Sequence, residues 1–389
     1  MDTIVLIGQI IIGLLLLTFL VVIHELGHAV VARRNGVEVE EFGIGFPPKA
    51  WSRKWATKLV GKKTLWSINW LPLGGFVKLK GESDDAKGKG TYGAASLWAK
   101  TKILLAGVGM NWLFAIVAFM CLALVGFPKV LPDQFSIKSD AVEVTQPLKI
   151  AFIEKDSPAD KAGFKLNNQL LSANGQSLKT PEDLIAFTKQ YKGKTVTFAY
   201  SDGYKTMQKA VQLRATPGKN QGVLGVQTNS QSTVRSTWSA PIVGVGTTIQ
   251  FSVVTLTELG KLVGKLTNGL IGQLSGDAAV RKQSSQQVNE AGAGVAGPIG
   301  ILGVIFPAAQ KAGLTTLLFL MGIISLTLAV MNALPIPALD GGRLFVTLLF
   351  RALKKPLRKE TEEKIHGAGF SFLMLLVVVI TVADVSKFF

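Results

Sequence analysis

The stretch TIVLIGQIIIGLLLLTFLVVI, residues 3–23, runs without a charged side chain directly into HELGH at residues 24–28. A helix needs about 20 predominantly apolar residues to span the hydrocarbon core of a bilayer, so this run predicts a membrane-crossing helix. Residues 4–31, 103–127, 314–333 and 370–383 are all apolar enough to cross. The last is short, and counting from His366 to Val385 extends it adequately. The N-terminus lacks the basic start, short apolar core and small-residue cleavage site of a signal peptide, so it is expected to remain as a helix.

Composition agrees, with 48% hydrophobic residues and a mean hydropathy of +0.36, together too apolar for an ordinary soluble enzyme. The net charge of +17 suits nucleic acid or an anionic membrane surface equally. No nucleic-acid motif accompanies it, so the bilayer is the expected partner and nucleic acid is not. The lone Cys121 excludes an intrachain disulfide framework and sits in an apolar stretch as a small core residue.

Lysine and arginine orient the spans. Fourteen basic residues lie between Arg33 and Lys102 and seven between Arg343 and Lys364, so both loops are expected on the cytoplasmic side. Both termini and the long insert from Pro128 to Lys311 then face outward. The expected organisation is a first helix (1–35), an inner loop with membrane-associated strands (36–98), a second helix (99–127) and an outer domain (128–230). An amphipathic and linker region (231–312), a third helix (313–342), an inner helix (343–365) and a fourth membrane helix (366–389) complete it.

Within the insert, residues 148–216 alternate strand-like runs with turns and two short helical stretches, the second capped by Thr180 before Pro181. The run APIVGVGTTIQFSVVTLTELGKLVGKLTNGLIGQL mixes apolar residues with Thr, Gln, Glu and Lys, which predicts one or two amphipathic helices on the membrane surface. A fifth crossing is the competing reading. It would move the 343–364 segment to the opposite side from HELGH. Residues 275–297, rich in glycine and polar side chains, are expected to be a flexible connection.

HELGH sets His24 and His28 four residues apart on one helical face, where both imidazoles reach one zinc ion while Glu25 addresses its water. The chain has only three histidines, and two fall in this pattern on a helix that penalises each. The alternative is a satisfied polar contact between helices. A catalytic zinc also needs a third protein ligand. At the inner end of the third span stands MNALPIPALDGGRLF, where Pro335 and Pro337 must break the helix and Asp340 follows on the same side as HELGH. Gly341 and Gly342 allow close backbone approach. Asp340 as a helix N-cap, and His366 as the rival ligand, remain open.

HExxH in the first span and NxxPxPxLDGG in the third (Asn332, Pro335, Pro337, Leu339, Asp340, Gly341, Gly342) resemble the site-2 protease family of intramembrane zinc metalloproteases, in its regulator-of-sigma-E branch. The segment IEKDSPADKAGFKLNNQLLSANGQSLKTPEDL resembles a circularly permuted bacterial PDZ domain, with Asn168-Gln169 in place of the usual Gly-Asp. Many members of that branch carry two PDZ domains; one is found here. The resemblance implies a polytopic α-helical membrane protein of four transmembrane helices, with one extracytoplasmic PDZ domain and a small membrane-associated β-sheet. It implies that His24, His28 and Asp340 hold Zn2+, that Glu25 is the general base, and that Asn332 holds the substrate backbone or the oxyanion. VEVEEFGIGFPPK and TLWSINWLPLGGFVKLKGE alternate like strands, with Gly43, Gly45, Gly74 and Gly75 at bends or places of close approach. In the family such a sheet pairs with an unwound substrate; a sheet that only stabilises the inner mouth is the alternative. Residues 49–63, with Trp51 and Trp55 among lysines and arginines, resemble a membrane-surface anchor, with a solvated charge run as the other reading. GPIGIL at 297–302 recurs in the family and is assigned no chemistry.

The expected activity is zinc-dependent cleavage within transmembrane segments of single-span proteins already shortened outside, such as anti-sigma factors or signal-peptide remnants. Quality-control proteolysis of membrane-protein loops, and a non-catalytic zinc scaffold or transporter, are the alternatives.

Overall fold

The structure, a computed structural model, describes residues 3–57, 59–61, 64–145, 147–218, 221–229, 232–293 and 296–388. Lys58, Lys62 and Lys63 of the expected surface anchor lie outside them. The chain forms two compact units: Met1–Val125, Phe135–Ile137 and Trp238–Phe389 make the first, Gly126–Gln134 and Lys138–Thr237 the second.

In the first unit, α1 (Thr3–Arg34) carries no charged side chain and only scattered polar ones before His24, and its burial is concentrated from His24 to Ala32. Arg33 and Arg34 occupy its last turn, where cations complement the helix dipole. Gly36, at φ +81°, then turns the chain into the sheet. Strands β1 (Val39–Lys54) and β2 (Leu65–Leu79) each fold back on themselves. Glu41 to Ile44 pair on one side with Lys78 to Gly75 and on the other with Leu65 to Ile68. Trp51 to Lys54 pair with Ile68 to Leu65. The sheet order is therefore 49–54, 65–69, 39–46, 71–79. Gly45 and Gly74, at φ +78° and +79°, make the reversals that L-residues resist. The last strand is an edge and runs along α1, where Thr18 Oγ1 donates to the Pro72 carbonyl at 2.6 Å. Trp51, Trp55 and Trp70 are exposed on this sheet, as suits the bilayer interface.

Helix α2 (Leu97–Val125) runs antiparallel to α1: His28 meets Ile103, Gly27 packs on the Ala106 carbonyl, and Phe19 meets Phe114 edge-on.

The second unit holds β3 (Phe127–Pro128), β4 (Val142–Thr145), β5 (Lys149–Ile153), α3 (Pro158–Lys161), β6 (Gln169–Ala173), β7 (Gln176–Ser177), α4 (Pro181–Gln190), β8 (Thr195–Ser201), β9 (Thr206–Gln212), β10 (Val226–Asn229) and β11 (Ser232–Arg235). Its main sheet has the order β10-β5-β6-β8-β9, with β7 paired to β6; β3, β11 and β4 form a separate ribbon. Ile150, Leu170, Phe187, Val196 and Phe198 fill its core. Thr180 caps α4 through a capping box with Asp183. At the Asn168-Gln169 departure, Asn167 takes φ +67° and Asn168 Oδ1 accepts the Lys165 N–H.

The chain returns to the first unit through α5 (Ala240–Gln273), α6 (Ala278–Ala293), α7 (Pro298–Gly300), a π-helical turn at Ile301–Ile305, α8 (Phe306–Ala312), α9 (Leu314–Ala333), α10 (Asp340–Ala352) and α11 (Lys359–Phe388). Two expectations change here. The surface segment after 240 is one 34-residue helix, long and apolar enough to cross a membrane, so five such helices exist among the described residues rather than four. It packs antiparallel to α2, Gly244 lying on Met120 and Ser252 accepting from Trp112 Nε1 at 3.0 Å. The expected flexible connection contains helix α6, which packs Ser284 and Val288 against Gly272 and Gly269 of α5. The GPIGIL segment places Gly300 against Asp384, whose carboxylate accepts its N–H at 2.8 Å.

Candidate metal centre and active site

α1 and α2 meet α9 and α10 at one buried cluster. His24 Nε2 and His28 Nε2 stand 3.1 Å apart, and Asp340 Oδ2 lies 3.0 Å from the first and 3.2 Å from the second. Three ligand atoms at about 2.0–2.1 Å from a tetrahedral zinc are separated by about 3.3 Å, so this triangle fits that ion closely. The chemistry of the donors fits as well. His28 Nδ1 donates to the Ile103 carbonyl at 2.7 Å, which leaves Nε2 with its lone pair turned toward the other two atoms. Asp340 Oδ2 is shielded from solvent and makes no hydrogen bond despite its proximity to both rings, as expected of an oxygen turned toward a cation.

The helix break predicted from the two prolines is present: α9 ends at Ala333, and α10 begins at Asp340. Asp340 is the first residue of α10 rather than its N-cap, a place taken by Leu339. A Cβ at Gly341 would strike the Ala333 carbonyl, and one at Gly342 the Ile336 carbonyl, so the LDGG glycines let the broken segment fold over the helix start. Ala338 adopts φ +81°, a strained value for alanine, and donates its N–H to His366 Nδ1 at 3.1 Å. His366 thus braces the loop before Asp340, and the described metal-type cluster contains His24, His28 and Asp340 without it.

Glu25 Oε2 accepts the Val77 N–H at 3.0 Å, tying the carboxylate to the edge strand. Gly75 lies on that strand beside Val22 and Glu25, and Gly74 beside Val21. Gly43 and Gly45 lie on the inner strand, away from the edge: Gly43 packs beneath the Phe76 ring and Gly45 against the Leu71 carbonyl. Asn332 stands half-buried in the last turn of α9. A cleft of about 550 Å³ opens onto Asp340, lined by Lys78 and Leu79 from the edge strand and by Ala338, Leu339, Arg343 and His366.

Sequence reasoning missed the groups that hold this cluster. Asn111 of α2 sets its amide Nδ2 3.3 Å from His24 Nδ1. A Cβ at Gly107 would lie 2.6 Å from His24 Nε2, so only glycine lets α2 approach the rings. Asn111 was visible as a polar residue inside an apolar span, itself a functional signal; Gly107 carried none. Around the mouth, fully buried Lys100 pairs with Asp84, and Arg343 pairs with Glu362 at 3.3 Å, bonds the Glu82 carbonyl and lies over the Tyr92 ring. Buried charges are tolerated only when matched in this way, and the set pins α10 to the loop after β2.

Comparison with known proteins reaches the same place. The model of Peptidase family M50 matches residues 12–376. A Clostridium perfringens protein whose name describes it as a zinc metalloprotease is 31% identical over 378 residues, 97% of this chain and 98% of its own. The regulator of sigma-W protease RasP of Bacillus subtilis is 25% identical over 451 aligned positions, 95% of this chain and 96% of its own. The zinc metalloprotease RasP of Geobacillus kaustophilus is 25% identical, again over 95% of this chain and 96% of its own. Among solved structures, the PDZ domain of the SdrC-like protein of Listeria monocytogenes is 22% identical, covering 22% of this chain and 93% of its own at a TM-score of 0.20. With a family match that runs through both the HELGH helix and the Asp340 turn, the chain belongs to Peptidase family M50.

Proposed function

We propose that this multi-pass membrane protein is an intramembrane endopeptidase that hydrolyses peptide bonds within the transmembrane segments of single-span membrane proteins. It is a zinc metalloprotease, as are its relatives by name. The substrate reading draws support from the RasP relatives and implies regulated proteolysis of anti-sigma factors or signal-peptide remnants, already shortened outside.

In this reading His24, His28 and Asp340 hold zinc, and Glu25 is the general base. Zinc, when bound, supplies Lewis acidity to a water molecule and to the scissile carbonyl. Glu25 takes the proton of the attacking water and passes it to the leaving amine, work for which a positioned carboxylate contributes about 10²–10⁴-fold. Val77 keeps the carboxylate in place through its N–H. The edge strand carrying Gly74 and Gly75 receives the unwound substrate as an added strand, since a helix hides the amides a protease must grip. Gly43 and Gly45 serve the same binding surface by letting the inner strand bend beneath it, and Asn332 holds the substrate backbone or the developing oxyanion.

The active site faces the cytoplasm, toward the basic loops, and both termini and the second unit face outward, the latter as a PDZ domain. Helices α1, α2, α9 and α11 cross. Helix α5 enters beside the outer end of α2 and α6 folds back on it, so the pair acts as a hairpin that leaves parity unchanged. Two contacts support a return to the outer side: Gly300 against Asp384 near the end of α11, and Gln310 Nε2 donating to the Gln9 carbonyl near the start of α1.

The single observation that carries the proposal is the Nε2–Nε2–Oδ2 triangle beside Glu25, on a helix otherwise suited to lipid. Mass spectrometry of products from a reconstituted single-span substrate tests it. Cleavage inside the apolar segment is expected; cleavage confined to flanking loops would favour the quality-control reading.

A further inference from the structure

The face that α2 turns toward HELGH is built from residues four apart: Ile103, Gly107 and Asn111. Ile103 fixes His28 by accepting its Nδ1 proton, and Gly107 provides the space in which both rings lie. Asn111 occupies the equivalent place for His24. It is fully buried, with its amide 3.3 Å from His24 Nδ1 and its Oδ1 shielded from solvent without a donor. A buried amide oxygen left without a donor is costly, and the two ends of the amide are nearly isosteric. A half-turn of that amide brings Oδ1 onto His24 Nδ1 and removes the oxygen from a place that offers it no donor.

We infer that Asn111 is the positioning residue of His24: its amide oxygen accepts the Nδ1 proton, which fixes the ring and leaves the Nε2 lone pair for the metal. The inference rests on the zinc-ligand reading of His24. It makes α2 the supporting helix for both imidazoles, one through a backbone carbonyl and one through a side chain. Such outer partners set ring orientation and ligand basicity, and their loss lowers metal affinity by about 10–100-fold.

The test is zinc affinity of the full-length chain in detergent, measured by chelator competition. Asn111→Leu keeps the volume and removes the acceptor, and is expected to weaken zinc binding by about 10–100-fold. Asn111→Ala, milder toward helix packing, should do the same if the leucine variant fails to fold. Asn111→Asp retains an acceptor at the same place and should recover most of the affinity. Ser325→Ala is the packing control: it removes the hydroxyl that donates to the Asn111 backbone carbonyl at 2.9 Å and leaves the amide untouched, so affinity should stay at the wild-type value. Wild-type affinity in Asn111→Leu or Asn111→Ala, equal losses in the leucine and aspartate variants, or an equal loss in Ser325→Ala would overturn the inference. A wild-type chain that binds no zinc would instead overturn the ligand reading beneath it.

Discussion

Val77 donates its backbone N–H to Glu25 Oε2 across 3.0 Å, which joins the edge strand of the sheet to the carboxylate of HELGH. Proline at 77 deletes that donor, and an edge strand tolerates the change because the N–H faces away from the ladder. A hydrogen bond to a charged group contributes about 1.5–3 kcal/mol, so Val77→Pro should lower kcat by about 10- to 100-fold. Zinc content should not change. Unaltered turnover, or loss of the metal, would show that Val77 does not position Glu25.

Gly107→Ala places a methyl group against both imidazoles. Neither ring can retreat without leaving the triangle, so zinc affinity should fall at least about tenfold while the helices remain assembled. Equilibrium dialysis against buffered zinc, with circular dichroism as the check on folding, measures this. Wild-type affinity would mean that α2 yields more readily than its close packing on Gly27 indicates.

Asp340 and His366 are separated by their zinc contents. Asp340→Ala removes a candidate ligand and should leave the chain largely without zinc; His366→Ala removes only the acceptor for the Ala338 N–H and should retain it. Zinc lost from the histidine variant and kept by the aspartate variant would reverse the assignment.

In the second unit, Arg214 beside Glu154 holds that carboxyl below its ordinary value. The backbone N–H groups of Lys179 and Thr180 do the same for Asp183, and those of Lys205 and Tyr204 for Asp202. A carboxyl depressed in the folded state contributes stability that is complete above its unfolded value, about 4, and is lost as pH falls through the folded value. Hydrogen exchange in peptides from this unit should therefore be constant from about pH 7 to 5, after correction for intrinsic rates, and protection should drop below about pH 4. Glu154→Gln should blunt the drop slightly, since exposed pairs are weak. Protection that rises on acidification would contradict the sign.

Much of the metal cluster could be read from local spacing and chain breaks. His24 and His28 share a face because four residues nearly complete a turn, and Asp340 stands out because two prolines end an apolar helix just before it. The α2 contribution was not readable: a glycine and a backbone carbonyl leave no pattern, and their meaning comes from which helix packs beside them. The packing of helix α5 was not readable for a related reason. Its buried face is Val243, Gly244, Thr247, Thr248 and Phe251, mostly small or β-branched groups that resemble a surface sequence until α2 covers them. Polar, glycine-containing α6 forms because α5 offers Gly269 and Gly272 as a groove. The doubled strands β1 and β2 alternate as strands should, but alternation does not reveal that each pairs twice.

The central claim is that Glu25 acts as the base beside a zinc held by His24, His28 and Asp340, and Glu25→Gln tests it most directly. Zinc stoichiometry and single-turnover cleavage of a reconstituted single-span substrate should be measured on the same preparation. The account predicts wild-type zinc content with cleavage slowed by about 10²–10⁴-fold. Cleavage at the wild-type rate with zinc still bound would contradict it.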